Sequence, residues 1–321
     1  MSEKVLITGG AGFIGANLAL ALSTRPGIDV VVIDDFSSGD WRNLRDIDCE
    51  LRAADCGDPA LLEEIAEGVY ATIFHQAAIT DTTVLDQRRM IETNTNAFAD
   101  ILEAASHSGT RVIYASSAGV YGNSPAPNRI GEGECPENVY GFSKLAMDRV
   151  ARRWHECSEA PIIGLRYFNV YGPGEYHKNE KCGNKTASMI LQLYEQIRSG
   201  KRPRLFKYGE QMRDFIYIRD VVDANLAAME APRSGICNVG TGQARTFNDI
   251  VRLLAEQLGC HPEIEYFDNP YAFYQTHTEA DTSETSELLG WRARWSLEEG
   301  IADYVRYLEQ GERGPVGGSA S

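Results

Sequence analysis

With 321 residues, 43% hydrophobic and 24% charged, the chain is long enough for one large or two closely joined α/β units around a sizeable core. Its 46 acidic residues against 31 Lys and Arg give a formal charge of -15, which argues against a general nucleic-acid binder with its basic face. Net acidity does not exclude an anionic small molecule, because a local arginine cluster overrides the global charge.

The N-terminus, Met1-Ser-Glu-Lys4, runs into the strand-like Val5-Leu6-Ile7-Thr8 without the apolar stretch of a signal peptide. Thr8-Gly-Gly-Ala-Gly-Phe-Ile-Gly15 follows, and the pattern then predicts a helix from Phe13 to Leu22. A glycine-rich turn between strand and helix lets a pyrophosphate approach the backbone, with its charge at the helix N-terminus. Gly9, Gly12, Phe13, Ile14 and Gly15 are therefore the expected phosphate loop of a dinucleotide site.

The second strand run, Val30-Val31-Val32-Ile33, ends at Asp34. A carboxylate there accepts from ribose hydroxyls and repels a 2′-phosphate, so Asp34 with Asp35 favours NAD over NADP. Arg42 counters that preference unless it is an ordinary loop arginine. Asp55, after the third strand pattern, is placed to contact adenine, with a helix N-cap as its alternative role because Gly57-Asp58-Pro59 opens a helix. Behind the fourth strand, Thr72-Ile73-Phe74-His75, the small residues of Gln76-Ala77-Ala78 allow close backbone approach to a cofactor, and Asn94 on the next helix is expected to support the same pocket.

Val112-Ile113-Tyr114 and Ile162-Ile163-Gly164-Leu165 complete a series of short apolar strands separated by helices. That alternation predicts an α/β fold, a doubly wound parallel sheet of Rossmann type covered on both faces. Beyond about Asn169 the regularity breaks, with helix signals at Asp220 to Glu230, Phe247 to Leu258 and Leu297 to Leu308. The expected division is a nucleotide-binding domain over 1–168 and a smaller, mainly substrate-binding domain over 169–313 with interleaved segments, then a flexible tail over 314–321.

Tyr140-Gly-Phe-Ser-Lys144 puts a phenol and an ammonium on one helix face, an arrangement expected to draw the tyrosine pKa down from about 10. Together with Thr8 to Gly15 and Tyr114-Ala-Ser-Ser-Ala-Gly-Val-Tyr-Gly122, this pair makes the chain resemble the extended short-chain dehydrogenases/reductases. The resemblance continues through Arg213-Asp-Phe-Ile-Tyr-Ile-Arg-Asp220 and Asn238-Val-Gly-Thr-Gly242. It implies that Ser117 hydrogen-bonds the reacting oxygen, Tyr140 exchanges its proton, and Lys144 holds the nicotinamide ribose. Ser116 is assigned to backbone and pocket packing, and Val170 to the cofactor site.

Phe168-Asn-Val-Tyr-Gly-Pro173 followed by Glu175-Tyr-His-Lys178 is similar, more narrowly, to the ADP-L-glycero-D-manno-heptose 6-epimerase family. That resemblance implies transient oxidation at C6 of the sugar and hydride return to the opposite face. One fixed base reaches only one orientation of the sugar oxygen well, and Lys178 matches the family's second base. Asn179 to Thr186 is longer than the family's step at this point, which leaves Lys181 and Lys185 as competitors for that role. Arg213 matches a residue that holds the nucleotide diphosphate, with a salt bridge to Asp214 or Asp220 as its alternative. Asn169, Phe206 and Tyr274 are the remaining candidate substrate contacts, and the resemblance admits NADP as well as NAD.

The partner expected is a nucleotide-diphosphate sugar, in a homo-oligomeric cytoplasmic enzyme with neither nucleic acid nor membrane. A UDP-sugar 4-epimerase or another extended short-chain nucleotide-sugar enzyme is the related alternative, and a non-catalytic cofactor-binding regulatory protein the alternative of another class. The seven cysteines are scattered and never form Cys-x-x-Cys, which suits a reducing compartment and predicts no metal site.

Overall fold

The computed structural model describes residues 2–181, 186–268 and 275–318. Its strands are β1 (Glu3–Thr8), β2 (Ile28–Asp34), β3 (Glu50–Ala53), β4 (Thr72–His75), β5 (Arg111–Ser117), β6 (Ile162–Tyr167), β7 (Asn169–Tyr171), β8 (Arg204–Phe206), β9 (Met212–Tyr217), β10 (Gly235–Val239), β11 (Ala244–Thr246) and β12 (Glu265–Phe267). The helices are α1 (Phe13–Ser23), α2 (Pro59–Ala66), α3 (Gln87–Ile91), α4 (Ala97–Ser108), α5 (Val139–Trp154), α6 (Tyr176–Lys181), α7 (Met189–Arg198), α8 (Ile218–Met229), α9 (Phe247–Leu258), α10 (Ser283–Leu289) and α11 (Leu297–Glu309).

Seven strands pair in the order β10-β6-β5-β4-β1-β2-β3, every neighbouring pair parallel. Side chains alternate between its faces with the period of a pleated strand. Val5, Ile7, Val30, Val32, Ile113 and Ile163 join the core under α1 and α8, while Leu6, Val31, Ile73, Val112 and Ile162 join the core under α2, α4 and α5. Because both faces are covered, the central strands read as continuous apolar runs, and only the edge strand β3 is largely exposed. The order reverses between β1 and β4, which opens a crevice at the carboxyl ends of the strands.

The second half builds a three-stranded sheet, β11-β9-β7, and the two-stranded pair β12-β8. The division near residue 168 is not a cut, however. β10 returns to pair with β6, and α8 packs on α1, so part of the later chain completes the first sheet.

The end of the chain is also tied down. Val316 N and Gly317 N donate to Asn17 Oδ1 at 2.8 and 3.2 Å, and Tyr307 Oη donates to Gly314 O at 2.6 Å. Asn17 Nδ2 in turn donates to Phe13 O and Pro173 O, each at 2.9 Å. Residues 314–318 are therefore held by backbone hydrogen bonds where composition suggested a loose tail; 319–321 lie outside the described residues. Among the described residues no helix is long and apolar enough to cross a membrane, and no cluster could hold a metal ion.

Candidate active site

A cleft of about 410 Å³ lies at the β1/β4 crossover, lined along its length by Gly9, Gly12, Phe13, Ile14 and Gly15, by Asp34 and Asp35, and by Asp55. Gln76, Ala77 and Ala78 form its floor beside Gly9. Gly9 has φ +68°, and a Cβ there would stand 2.6 Å from Ala77 N, so glycine is required for both conformation and approach. Gly12 is the N-cap of α1 and supplies no side-chain cap, which leaves the helix's first N–H groups open to the cleft.

Asp34 is buried and accepts from Ala11 N at 2.9 Å and Phe36 N at 2.8 Å, which fixes the glycine loop against the loop after β2. Burial pushes its pKa up, and those two backbone donors oppose the rise. Asp35 turns back on Ser37, accepting from its backbone N at 2.9 Å and its hydroxyl at 2.7 Å. Arg42 is engaged by acids: Nε and Nη2 donate to Asp40, each at 2.9 Å, and Nη1 to Glu180 at 3.0 Å. Asp58 rather than Asp55 caps α2, and Asp55 lines the cleft while accepting from Gly57 N at 2.7 Å.

Asn94 needs correction as a cofactor contact. It does not line the cleft; its side chain is fully buried, accepts from Ile79 N at 2.8 Å and donates to Ile79 O and Ser143 Oγ, each at 3.0 Å. It braces Ile79, a lining residue in the loop after β4, from behind the cleft, since a buried amide is held by the partners that satisfy it.

The far end of the cleft holds Ser117, Tyr140 and Lys144. Asn138 caps α5 by accepting from Gly141 N at 2.8 Å, so Tyr140 sits in the first turn and Lys144 one turn deeper. Ser117 ends β5, accepts from Gly119 N at 3.0 Å and shares a hydrogen bond with the Tyr140 phenol. Lys144 is 1% exposed and donates from Nζ to Ala115 O at 2.8 Å.

The electrostatics differ from the sequence expectation that the lysine draws the tyrosine down. Burial raises the Tyr140 pKa, eased by the Ser117 hydrogen bond, and the same loss of water pushes Lys144 down to about 8, against the pull of Asp148. Ser116, beside them, is buried with its hydroxyl unpartnered among the described residues and lines the cleft.

Asn169 and Val170 line the cleft from β7. Lys178 lies on α6, and its side chain is outside the described residues, as are Lys185 and Tyr274. Lys181 donates to Phe36 O and, at 3.0 Å, to Gly39 O, so its ammonium is engaged by the loop after β2. Arg213 does not take the suggested carboxylates: its described hydrogen bonds run to Met212 O at 2.8 Å and Gln275 O at 2.6 Å. Asp214 is instead met by Thr241 and Gly242 N–H groups, and Asp220 by those of Arg294 and Trp295. Phe206 packs edge-on against Phe267 at 5.0 Å, and neither it nor Arg213 lines this cleft.

The NAD dependent epimerase/dehydratase family model matches residues 5–240. The chain belongs to this family. Within it, the ADP-L-glycero-D-manno-heptose-6-epimerase of Pseudomonas aeruginosa is 39% identical over 95% of this chain and 98% of its own length. The crystal structure of the Helicobacter pylori protein of that name is 45% identical, covers 96% of each chain and superposes with a TM-score of 0.89. A Thermus thermophilus UDP-glucose 4-epimerase in complex with NAD is 27% identical, covering 95% of this chain and 99% of its own, with a TM-score of 0.82.

The epimerase/dehydratase family is NAD dependent, and the cleft suits such a cofactor on its own features. The uncapped α1 N-terminus, the Gly9–Ala77 approach and the buried unpartnered Ser116 hydroxyl all face it.

Several lining residues escaped the sequence reading. Ser37, Ser38 and Gly39 follow directly on Asp34-Asp35 and were within reach of that motif. Thr186, Ala187 and Ser188 carried no pattern, because they belong to an irregular segment that returns to the cleft only in three dimensions.

Proposed function

We propose that this protein interconverts the two C6 epimers of ADP-glycero-D-manno-heptose through a transient 6-ketone, using NAD. The observation that carries this reading is that the segment bearing Glu175-Tyr-His-Lys178 leaves the Tyr140 cleft at Asn169 and Val170 and rejoins it at Thr186 to Ser188. Tyr140 and a second acid/base on that segment would then serve the two orientations of one sugar oxygen. Near-full-length likeness to heptose epimerases from two organisms supports the same substrate.

The bound cofactor supplies reversible hydride acceptance. The glycine loop and α1 would hold its diphosphate, and Asp34 its adenosine ribose. Tyr140 moves the proton of the C6 hydroxyl, with Ser117 steadying phenol and substrate oxygen, and Lys144 would hold the nicotinamide ribose. NAD is preferred over NADP because Asp34 occupies the ribose end and both nearby cations, Arg42 and Lys181, are already engaged. Arg213, which the family resemblance matches to a holder of the nucleotide diphosphate, lies outside this cleft with Nη1 and Nη2 given to Met212 O and Gln275 O, so its fork serves that role only by releasing those acceptors. The proposal extends, on the family resemblance alone, to a cytoplasmic homo-oligomer.

Purified protein given either ADP-heptose epimer is expected to yield a mixture of both, followed by NMR, without net reduced nicotinamide. Cofactor-loaded protein that leaves both epimers unchanged overturns the substrate assignment. Turnover confined to a UDP-hexose replaces it with a 4-epimerase. Lys178→Met is expected to lose most turnover while NAD binding persists, and normal turnover removes Lys178 from the mechanism.

A further inference from the structure

One buried acid beside the site takes no part in the chemistry above. Glu175 is 3% exposed and sits immediately before α6, three residues ahead of Lys178. Its carboxylate reaches both ends of the segment that joins β7 to α7. Oε1 accepts from Gly172 N at 3.3 Å and from Ser188 Oγ at 2.8 Å, and Oε2 accepts from Ser188 N at 2.6 Å. Ser188 lines the cleft and caps α7 by accepting from Leu191 N at 3.2 Å, while the buried Tyr304 hydroxyl of α11 lies beside the carboxylate.

An acid withdrawn from water is costly unless its lone pairs are answered. Here the answering donors come from the start and the end of one segment, so satisfying Glu175 closes that segment at its base. The other end of α6 is anchored on the loop after β2, through Glu180 to Arg42 and through Lys181 to Phe36 and Gly39. Side chains that transfer protons tolerate little displacement, since about 1 Å of misplacement costs on the order of 10²-fold in rate.

We propose that Glu175 is a positioning residue that clamps the two stems of this segment and thereby sets the place of α6, the helix that bears Lys178, relative to the cleft. The inference rests on Lys178 being the second acid/base. Glutamine is close in shape but cannot replace the clamp. One amide orientation turns its NH₂ toward Ser188 N, the other toward Gly172 N, and each leaves two donors facing one another.

Glu175→Gln is expected to lower kcat by tenfold or more, with KM for the sugar nucleotide and Kd for NAD within twofold of the parent. In a Lys178→Met background the same change is expected to add nothing further, because its effect passes through Lys178. A full multiplicative loss in that background, or an unchanged kcat in the single variant, overturns the proposal. If Lys178→Met itself keeps normal turnover, the second-base reading fails separately. The clamp is then read by trypsin: faster cleavage after Lys178 and Lys181 in Glu175→Gln supports closure of the segment, and an unchanged rate refutes it. Should Glu175→Gln not fold, Ser188→Ala removes one acceptor–donor pair and is expected to give the same pattern at smaller amplitude, with additivity in the Lys178→Met background overturning the proposal.

Discussion

At Tyr140 two effects oppose each other: removal from water disfavours the phenolate, and the Ser117 hydrogen bond favours it. The first is the larger, so burial holds the Tyr140 phenol above its ordinary range, while the same loss of water pushes Lys144 down to about 8. Tyr140→Phe keeps the ring and removes the transferable proton. Epimerisation is expected to fall by about 10²–10⁴, the usual worth of a positioned acid/base, with NAD affinity retained in a fluorescence titration.

Burial pushes Glu175 up to about 7 from the ordinary glutamate value of 4.5. Between those values the folded chain holds a proton that the unfolded chain has lost, so this group's contribution to stability falls as pH rises through that window. Glu175→Gln lacks the titration. The Tm deficit of the variant against the parent is expected to be larger at pH 5 than at pH 8, and a deficit independent of pH refutes the assignment.

On α5, successive turns carry Tyr140, Lys144 and Asp148, and the third of these anchors the helix. Asp148 is fully buried, accepting from Tyr114 Oη at 2.9 Å and from Arg166 Nε at 2.8 Å, and Arg166 also reaches Glu134 at 2.6 Å. Asp148→Ala leaves the buried Arg166 guanidinium with Glu134 as its one remaining carboxylate among the described residues, and about 3 kcal/mol of stability is expected to be lost in urea unfolding. The i, i+4 spacing of Tyr140 and Lys144 was legible because a helix repeats. So were β1, β2, β4, β5 and β6, whose buried faces spell continuous apolar runs. The engagement of Lys181, the wall role of Asn94 and the entry of Thr186 to Ser188 into the cleft were not. Each depends on which irregular segments meet, and loops leave no period in the sequence. Asp58 as the α2 cap was half legible, since Asp58-Pro59 is a capping pair, yet the competing Asp55 stood three residues away.

Across the whole molecule the nucleotide-binding layer is finished by chain from beyond residue 168. β10 covers the edge of β6, and α8 covers the sheet face beside α1. A fragment of residues 1–168 is therefore expected to lack cooperative thermal unfolding and to expose Ile163 and Leu165, detectable by dye binding; a soluble fragment with a sharp transition and NAD affinity would falsify this. Sequence pattern placed the boundary where regularity stopped. The continuation through Gly235–Val239 was not legible because Gly235 and Asn238 break the continuous apolar run that marks the earlier strands.

The Asn17 side chain has a consequence for how the protein is handled. It joins α1, Pro173 at the root of the Lys178 segment, and the backbone of Val316 and Gly317. A trimmed C-terminus that removes Val316 and Gly317 is thus an edit made two hydrogen bonds from Pro173, at the root of the Lys178 segment. Truncation after Pro315 takes both donors from the Asn17 carbonyl oxygen. Rates from full-length and trimmed preparations therefore call for a side-by-side assay before they are compared.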